Sequence, residues 1–201
     1  MYKCEFCGKE FKTEKGFQRH SCEKKKRFME FDEVGFRIWS IMNNVFKVRM
    51  PRKITADELK MRFVNDKSYK AIVMFAHWVV DNGVLDIVSY LQFLNRNVVP
   101  MKQWTTSRVY KVWLIEYLKN EPLSQATKRA EDYLSAEGLT LETVSQNRLY
   151  LLIRYGIISV KYLKSKNFNI RQALDDTQWF EIRPMVMASE VMDFNNAIHN
   201  S

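Results

Sequence analysis

The chain has 201 residues, 46% apolar and 13% aromatic, with a net charge of +9 and a pI near 9.4. That is enough apolar material for a packed core and excludes a disordered chain. Six glycines and four prolines are too few for a turn-rich all-β architecture. No run of eighteen apolar residues and no signal-peptide core occurs. The expectation is a cytoplasmic protein without a membrane partner, in a reducing compartment where clustered cysteines are metal ligands more often than disulfides.

All three cysteines lie in the first 22 residues, as Cys4-x2-Cys7-x12-His20-x-Cys22. Thiolates and an imidazole in a set of four are the donors that tetrahedral zinc prefers. The x2 spacing lets two thiolates reach one ion from a tight turn, and the x12 stretch can return through a short strand and start a helix. Tyr2, Phe11 and Phe17 supply apolar positions around these ligands. The stretch "YKCEFCGKEFKTEKGFQRHSC" resembles the C2H2-type zinc finger, with Phe17 where that family places a leucine. The resemblance covers roughly the first 24 residues. It implies a ββα unit with a helix from Glu14 to His20.

The departure from the family is at the end, where one residue instead of three to five separates the last two ligands. Positions i and i+2 of an α-helix point roughly opposite ways, so the helix must tighten or end at His20 and let Cys22 fold back. Cys22 is expected as the fourth ligand to Zn2+, because His77 and His199 are remote in sequence. A reduced metal-free loop and a redox sensor are the alternatives. A module this small needs such a staple to fold.

Counting back from the histidine, the resemblance puts the base-reading helix positions at Thr13, Gly16 and Arg19, of which only Arg19 can make a strong guanine contact. One finger covers about three base pairs, too few to locate a genomic site. The charges suit another use. Lys12, Lys15, Arg19, Lys24, Lys25, Lys26 and Arg27 lie on or just after the finger, and cations fixed beside a folded module suit sequence-independent phosphate contact. A solvated linker beside a structural zinc site is the other reading of "KKKR" at 24–27.

From Phe31 onward the apolar spacing is helical. Val34, Ile38, Met42 and Val45 form one stripe, widened by Trp39 and Phe46, with Asp32 available as a cap. "TADE" at 55–58, after Pro51, has the form of a capping box. "SYKAIVMFAHWVVDNG" predicts a buried helix ended by Asn82-Gly83, and a helix over about 84–95 follows. In "TTSRVYKVWLIEYLKNEP", Val109, Trp113 and Tyr117 face inward and Pro122 ends the helix. Further helices are predicted near 122–136, 140–155, 159–166 and 171–181, with a last one near 185–197. The fold class is therefore mainly α. A small ββα zinc finger with a basic tail occupies residues 1–27, and an all-helical bundle domain of eight or nine helices occupies 28–201.

The bundle carries a second basic segment, "KVRMPRK", with Lys47, Arg49, Arg52 and Lys53 around Pro51. Arg148, Arg154, Lys161, Lys164 and Lys166 form a third. Each is read either as a phosphate grip or as ordinary surface charge. Residues 1–171 hold 31 Lys and Arg against 18 Asp and Glu, whereas 172–201 hold one against five, so a basic body carries an acidic C-terminal segment. No P-loop, G-x-S-x-G, H-E-x-x-H or dinucleotide fingerprint is present, and no enzyme is expected. Asp175-Asp176 reads as a helix cap, His77 as a core histidine, and the five tryptophans mostly as core.

The stretches "YKCEFCGKEFKTEKGFQRHSCEKKKRF", "SYKAIVMFAHWV" and "LYLLIRYGIISVKYL" together resemble a group of small tailed-phage proteins with a short-ended N-terminal finger on a helical body. The last two are also similar to the helicase-assembly proteins of T-even-type bacteriophages, which are all-helical and basic, bind forked DNA and lack a finger. These resemblances imply an accessory of phage DNA replication, recombination or transcription. The expected partners are DNA or RNA through phosphates, and a protein for the helical body. The alternative is a protein-interaction adaptor whose zinc is purely structural.

Overall fold

The computed structural model describes residues 1–51 and 53–199, with side chains as far as Ala188. The protein is mainly α: twelve helices follow a two-stranded ribbon among the described residues. Among the described residues no helix is long and apolar enough to cross a membrane. The chain divides into two compact units, one formed by 1–81 and 90–105, the other by 82–89 and 106–201.

The first unit begins with β1 (Tyr2–Lys3) and β2 (Glu10–Phe11), antiparallel with Tyr2 opposite Phe11. Then come α1 (Glu14–Gln18), α2 (Glu23–Met29), α3 (Glu33–Val45), α4 (Ala56–Val64) and α5 (Tyr69–Asp81). Most of α6 (Ile87–Arg96) and a 3-10 turn at Met101–Gln103 complete it. Asp32 caps α3 by accepting from Gly35 N at 2.6 Å, and Thr55 with Glu58 forms a reciprocal capping box on α4. The core centres on fully buried Phe63, whose ring lies 4.9 Å from Tyr69, 5.7 Å from Phe36 and Trp39, and 5.9 Å from Phe31. Trp39 donates Nε1 to Asp66 at 2.9 Å, so its one polar atom is satisfied.

Helices α3 and α5 approach closely at Gly35. A Cβ there would lie 2.9 Å from Val73 Cγ2 and 3.0 Å from Phe63 Cζ. His77 is not a core histidine. It is exposed on α5, and its Nε2 meets Asp32 Oδ2 at 2.8 Å. The 3.6-residue period puts position 77 beside the outward Met74 and Val80 rather than with inward Phe75, Ala76 and Val79.

The second unit contains α7 (Ser107–Asn120), α8 (Leu123–Ala136), α9 (Gln146–Arg154), α10 (Val160–Ser165), α11 (Ile170–Ala173) and α12 (Asp176–His199). Tyr110, Trp113 and Leu114 are the buried face of α7, while Val109 and Tyr117 are half-buried. Residues 140–145 form a turn before α9, because Thr140 and Thr143 hydrogen-bond each other's backbone and divert the chain from helix. Asp175 caps α12 through Gln178 N at 2.9 Å.

That helix runs through Pro184 without the break expected near 182–184. Pro184 lies on the exposed side, and the missing N–H leaves the carbonyl of the equally exposed Phe180 to water. Glu121, buried at the α7–α8 turn, is paired by both Arg129 guanidinium nitrogens. Lys161 closes the same turn on the carbonyls of Lys119 (3.0 Å) and Glu121 (2.7 Å).

Two substitutions test this packing, each read as a fall in the urea midpoint at unchanged slope. Gly35→Ala forces a methyl against Val73 and Phe63 and costs about 1–3 kcal/mol. Glu121→Ala removes the buried carboxylate that pairs with the half-buried Arg129 guanidinium and costs about 2–3 kcal/mol. A loss below about 0.5 kcal/mol in either case contradicts the packing described.

Candidate metal centre and basic surface

The N-terminal ribbon builds one half of the site. Cys4 N donates to Lys9 O at 2.9 Å and Gly8 N to Cys4 O at 2.8 Å, folding residues 4–9 into a knuckle. Gly8 sits at φ +72°, a left-handed position that a residue with a Cβ rarely adopts. This turn brings Cys4 and Cys7 to one side. Helix α1, capped by Thr13, supplies the other half, and Phe11 packs 4.9 Å from the His20 ring and 5.9 Å from Phe17.

The helix ends at Gln18, two residues earlier than the sequence implied, with Arg19 as its cap and His20 N on Phe17 O. This early end solves the short spacing. Beyond the helix the chain is free to turn, and Cys22 swings back as the N-cap of α2, its sulfur accepting from Lys25 N at 3.4 Å.

Cys4, Cys7, His20 and Cys22 thus converge, with all four ligand atoms within 4.8 Å of one another. Cys4 Sγ lies 3.7 Å from Cys22 Sγ, and Cys7 Sγ 3.2 Å from His20 Nε2. Zinc–sulfur bonds of about 2.3 Å in a tetrahedron place two sulfurs about 3.8 Å apart. The group is therefore a Cys3His set positioned to hold a metal ion and compatible with zinc. Burial pushes the Cys4 thiol up, but hydrogen bonds from the Cys7 and Phe6 backbone and from the other thiols prevail and bring it down to about 6. A cleft of about 370 Å³, lined by Phe6, Phe17, Lys3 and Lys25, opens beside three of the ligands.

Of the three positions that the finger resemblance would make base readers, two have nothing to offer. Thr13 spends its hydroxyl on Gly16 N at 3.2 Å, and Gly16 has no side chain. Arg19 is exposed. The run 24–27 is not a linker but the body of α2, which sequence reasoning missed because seven residues with four consecutive cations show little apolar period.

Lys24 is half-buried, Lys25 and Lys26 are exposed, and Lys26 pairs with Glu30 at 3.9 Å. Arg27 is turned inward. It stacks 4.5 Å over the Tyr69 ring, donates to Val64 O at 3.4 Å and pairs with Glu23, so it fastens α2 to the first unit. Phe28 does the same toward the finger, 5.5 Å from Phe6. Lys12, Lys15, Arg19, Lys24 and Lys25 have no ion-pair partner among the described residues.

In the second basic segment Lys47, Arg49 and Lys53 are exposed, and Arg52 lies outside the described residues. Three of the five cations of the third basic segment face an acid. Arg148 pairs with Glu137, Arg154 with Glu181 at 3.6 Å and Lys166 with Glu131 at 3.1 Å, while Lys161 is held by carbonyls. Trp39, Trp104 and Trp113 are buried.

The charge divides with the units. The first holds 20 Lys and Arg against 11 Asp and Glu, the second twelve of each, so the whole +9 resides on the unit that contains the Cys3His group. No family model, curated protein or solved structure matches the chain.

Cys22 offers a clean separation of its two roles. Cys22→Ser keeps an oxygen to cap α2 but loses a thiolate ligand. Native mass spectrometry is expected to find one zinc per wild-type chain and less than one in the Ser variant. Cys22→Ala is expected to lose the metal and also about 1 kcal/mol of cap. A zinc-free wild-type chain purified without chelator would contradict the site.

Proposed function

We propose that the protein is a non-enzymatic, zinc-stabilised nucleic-acid-binding accessory that holds DNA or RNA by its phosphates with little sequence preference. The observation that carries this reading is the confinement of the entire net positive charge to the unit that contains the Cys3His group. Zn2+ held by Cys4, Cys7, His20 and Cys22 would fix the finger and the start of α2. Lys12, Lys15, Arg19, Lys24, Lys25 and Lys26 would then meet phosphates as preplaced cations, with little ordering cost. Thr13 and Gly16 support a backbone-directed rather than base-directed contact. Taken with the resemblance of the sequence to small tailed-phage proteins, the role is an accessory to phage DNA replication, recombination or transcription.

A second reading is an adaptor in which zinc is purely structural. It is favoured by the neutral second unit, which exposes Phe180 and Met187 on α12, at 74% and 49% of their full area. A gel-shift series on a 20-base-pair duplex over a range of salt separates the two readings. Six phosphate contacts predict a slope of log K against log salt near −5. The triple variant Lys24→Glu, Lys25→Glu, Lys26→Glu is expected to lose at least about tenfold in affinity and to flatten that slope. No retention at low salt, or a variant that binds as the wild type does, leaves the adaptor reading.

A further inference from the structure

The finger is not the only cationic end of the first unit. Helix α3 has thirteen residues and is about 20 Å long. Its first turn lies by Phe31 and Asp32, close to where α2 docks. Its last turn delivers Phe46, whose ring packs 6.1 Å from Trp104. Trp104 donates Nε1 to Val99 O at 2.8 Å and accepts from the Tyr90 hydroxyl at 2.6 Å. The loop after α3 and the loop after α6 are thereby held side by side on a buried tryptophan.

This far tip has an unusual surface. Lys47, Arg49, Lys53, Arg96 and Lys102 are exposed on it. Residues 34–56 and 90–105, which supply both loops, contain no aspartate or glutamate. Among these cations Lys47, Arg49, Lys53 and Lys102 have no ion-pair partner among the described residues. The same two loops hold two apolar side chains in water, Val48 at 49% and Val98 at 84% exposure.

Val98 is also strained. It sits at φ +50° as the left-handed residue that ends α6, with Val99 N on Leu94 O and Val98 N on Asn95 O. A β-branched residue in that region is an outlier, and glycine or asparagine would serve the turn better. Nothing in the packing repays the strain, because the side chain points to solvent. A strained residue that the fold does not need is a pointer to function.

We propose that this tip is a second nucleic-acid contact, in which Lys47, Arg49 and Lys102 meet phosphates while Val48 and Val98 press on sugar and base edges in a groove. Apolar side chains among cations are how backbone-directed proteins gain contact area beyond phosphate attraction. The tip lies across the length of α3 from the finger, so it is a site of its own. The inference rests on the polyanion-binding reading above.

The two kinds of side chain make different predictions, and the salt slope tells them apart. On a 20-base-pair duplex, Lys47→Glu with Arg49→Glu is expected to lose at least about tenfold in affinity and to make the slope shallower by about 1.8. Lys67→Glu with Lys70→Glu, an equal charge change on exposed lysines elsewhere in this unit, is expected to lose less than about threefold. Val48→Ser with Val98→Gly is expected to lose about threefold or more at an unchanged salt slope, while the melting temperature rises or holds. If wild type binds and the valine variant binds equally well, the tip inference falls and the phosphate-binding function stands. If the control pair weakens binding as much as the tip pair, the inference falls likewise. If wild type fails to bind at low salt, both fall. Vesicles containing phosphatidylserine that retain the wild type but not the valine variant, with DNA affinity unaffected by either tip variant, would make the tip a membrane contact and overturn the proposal.

Discussion

The structure of the first unit hinges on Cys22, because one sulfur serves two purposes. It completes the set of four ligand atoms, and it accepts from the backbone of Lys25 to start α2. One corner of the Cys3His group and a helix start are thereby set by the same atom. A conventional spacing of three to five residues would have kept the last ligand on the finger helix and left 23–29 to a linker. The single intervening Ser21 forces the helix to stop early and a new one to begin in a new direction. Lys24 to Arg27 are consequently set at helical spacing rather than strung along a flexible tether. The run then sorts itself by face. Arg27 and Phe28 point back to Tyr69, Val64 and Phe6, while Lys24, Lys25 and Lys26 remain toward solvent to differing degrees. The N-terminal module around the Cys3His group is too small to be stable alone, and α2 is the means by which it gains a neighbour.

The division of charge follows a matching logic. In the second unit Lys111, Lys128, Arg129, Arg148, Arg154, Lys166 and Arg171 each pair with an acid, among them Arg129 with the buried Glu121. Most of these pairs are exposed and contribute little stability, but they cancel the field. In the first unit the acids are spent locally: Asp32 and Glu58 on caps, Asp66 on Trp39 and Ser68, Glu23 on Arg27. Few remain to offset the lysines of the finger, α2 and the loop after α3. The whole net positive charge thus sits on the first unit, while the second is neutral overall.

Much of this was legible in the sequence where a local rule had no competitor. The Cys3His group stood out by donor type and spacing, the Asp32 cap and the Thr55–Glu58 box by their offsets, and the mainly α class by the 3.6-residue period. What escaped notice was decided by context. Helix α2 is too short and too charged to show a period, and it exists because Cys22 caps it and Arg27 and Phe28 have something to pack on. His77 lay in an apolar run, yet a helix face rather than a neighbourhood decides burial, and its face is outward. The separate helices expected over 171–181 and 185–197 run as one from Asp176 on, because Pro184 lies on the solvent side, where the hydrogen bond it sacrifices is replaced by water. The partition into units was also out of reach, since it divides α6 and returns the segment 90–105 to the N-terminal unit. That pairing is made by Trp104 with Phe75 and Phe46, contacts between residues far apart in the chain.

Four helices end in the same hydrogen-bonded motif, with Lys47, Val98, Gly138 and Asn167 in its left-handed position. Gly138 and Asn167 are the residues this geometry prefers. Both belong to the neutral unit. Lys47 and Val98 are not preferred there, and at Val98 the cost is about 1–2 kcal/mol. Both belong to the cationic unit, at its end away from the finger. The motif itself is indifferent to side-chain chemistry, since its bonds are all backbone. Where it meets solvent with nothing to contact, the cheapest residue is free to occupy it, and in the second unit it does. Where a costlier residue occupies it, the turn is holding out a side chain. In the first unit it holds out a cation at one loop and a branched apolar group at the other, joined beneath by the ring of Trp104.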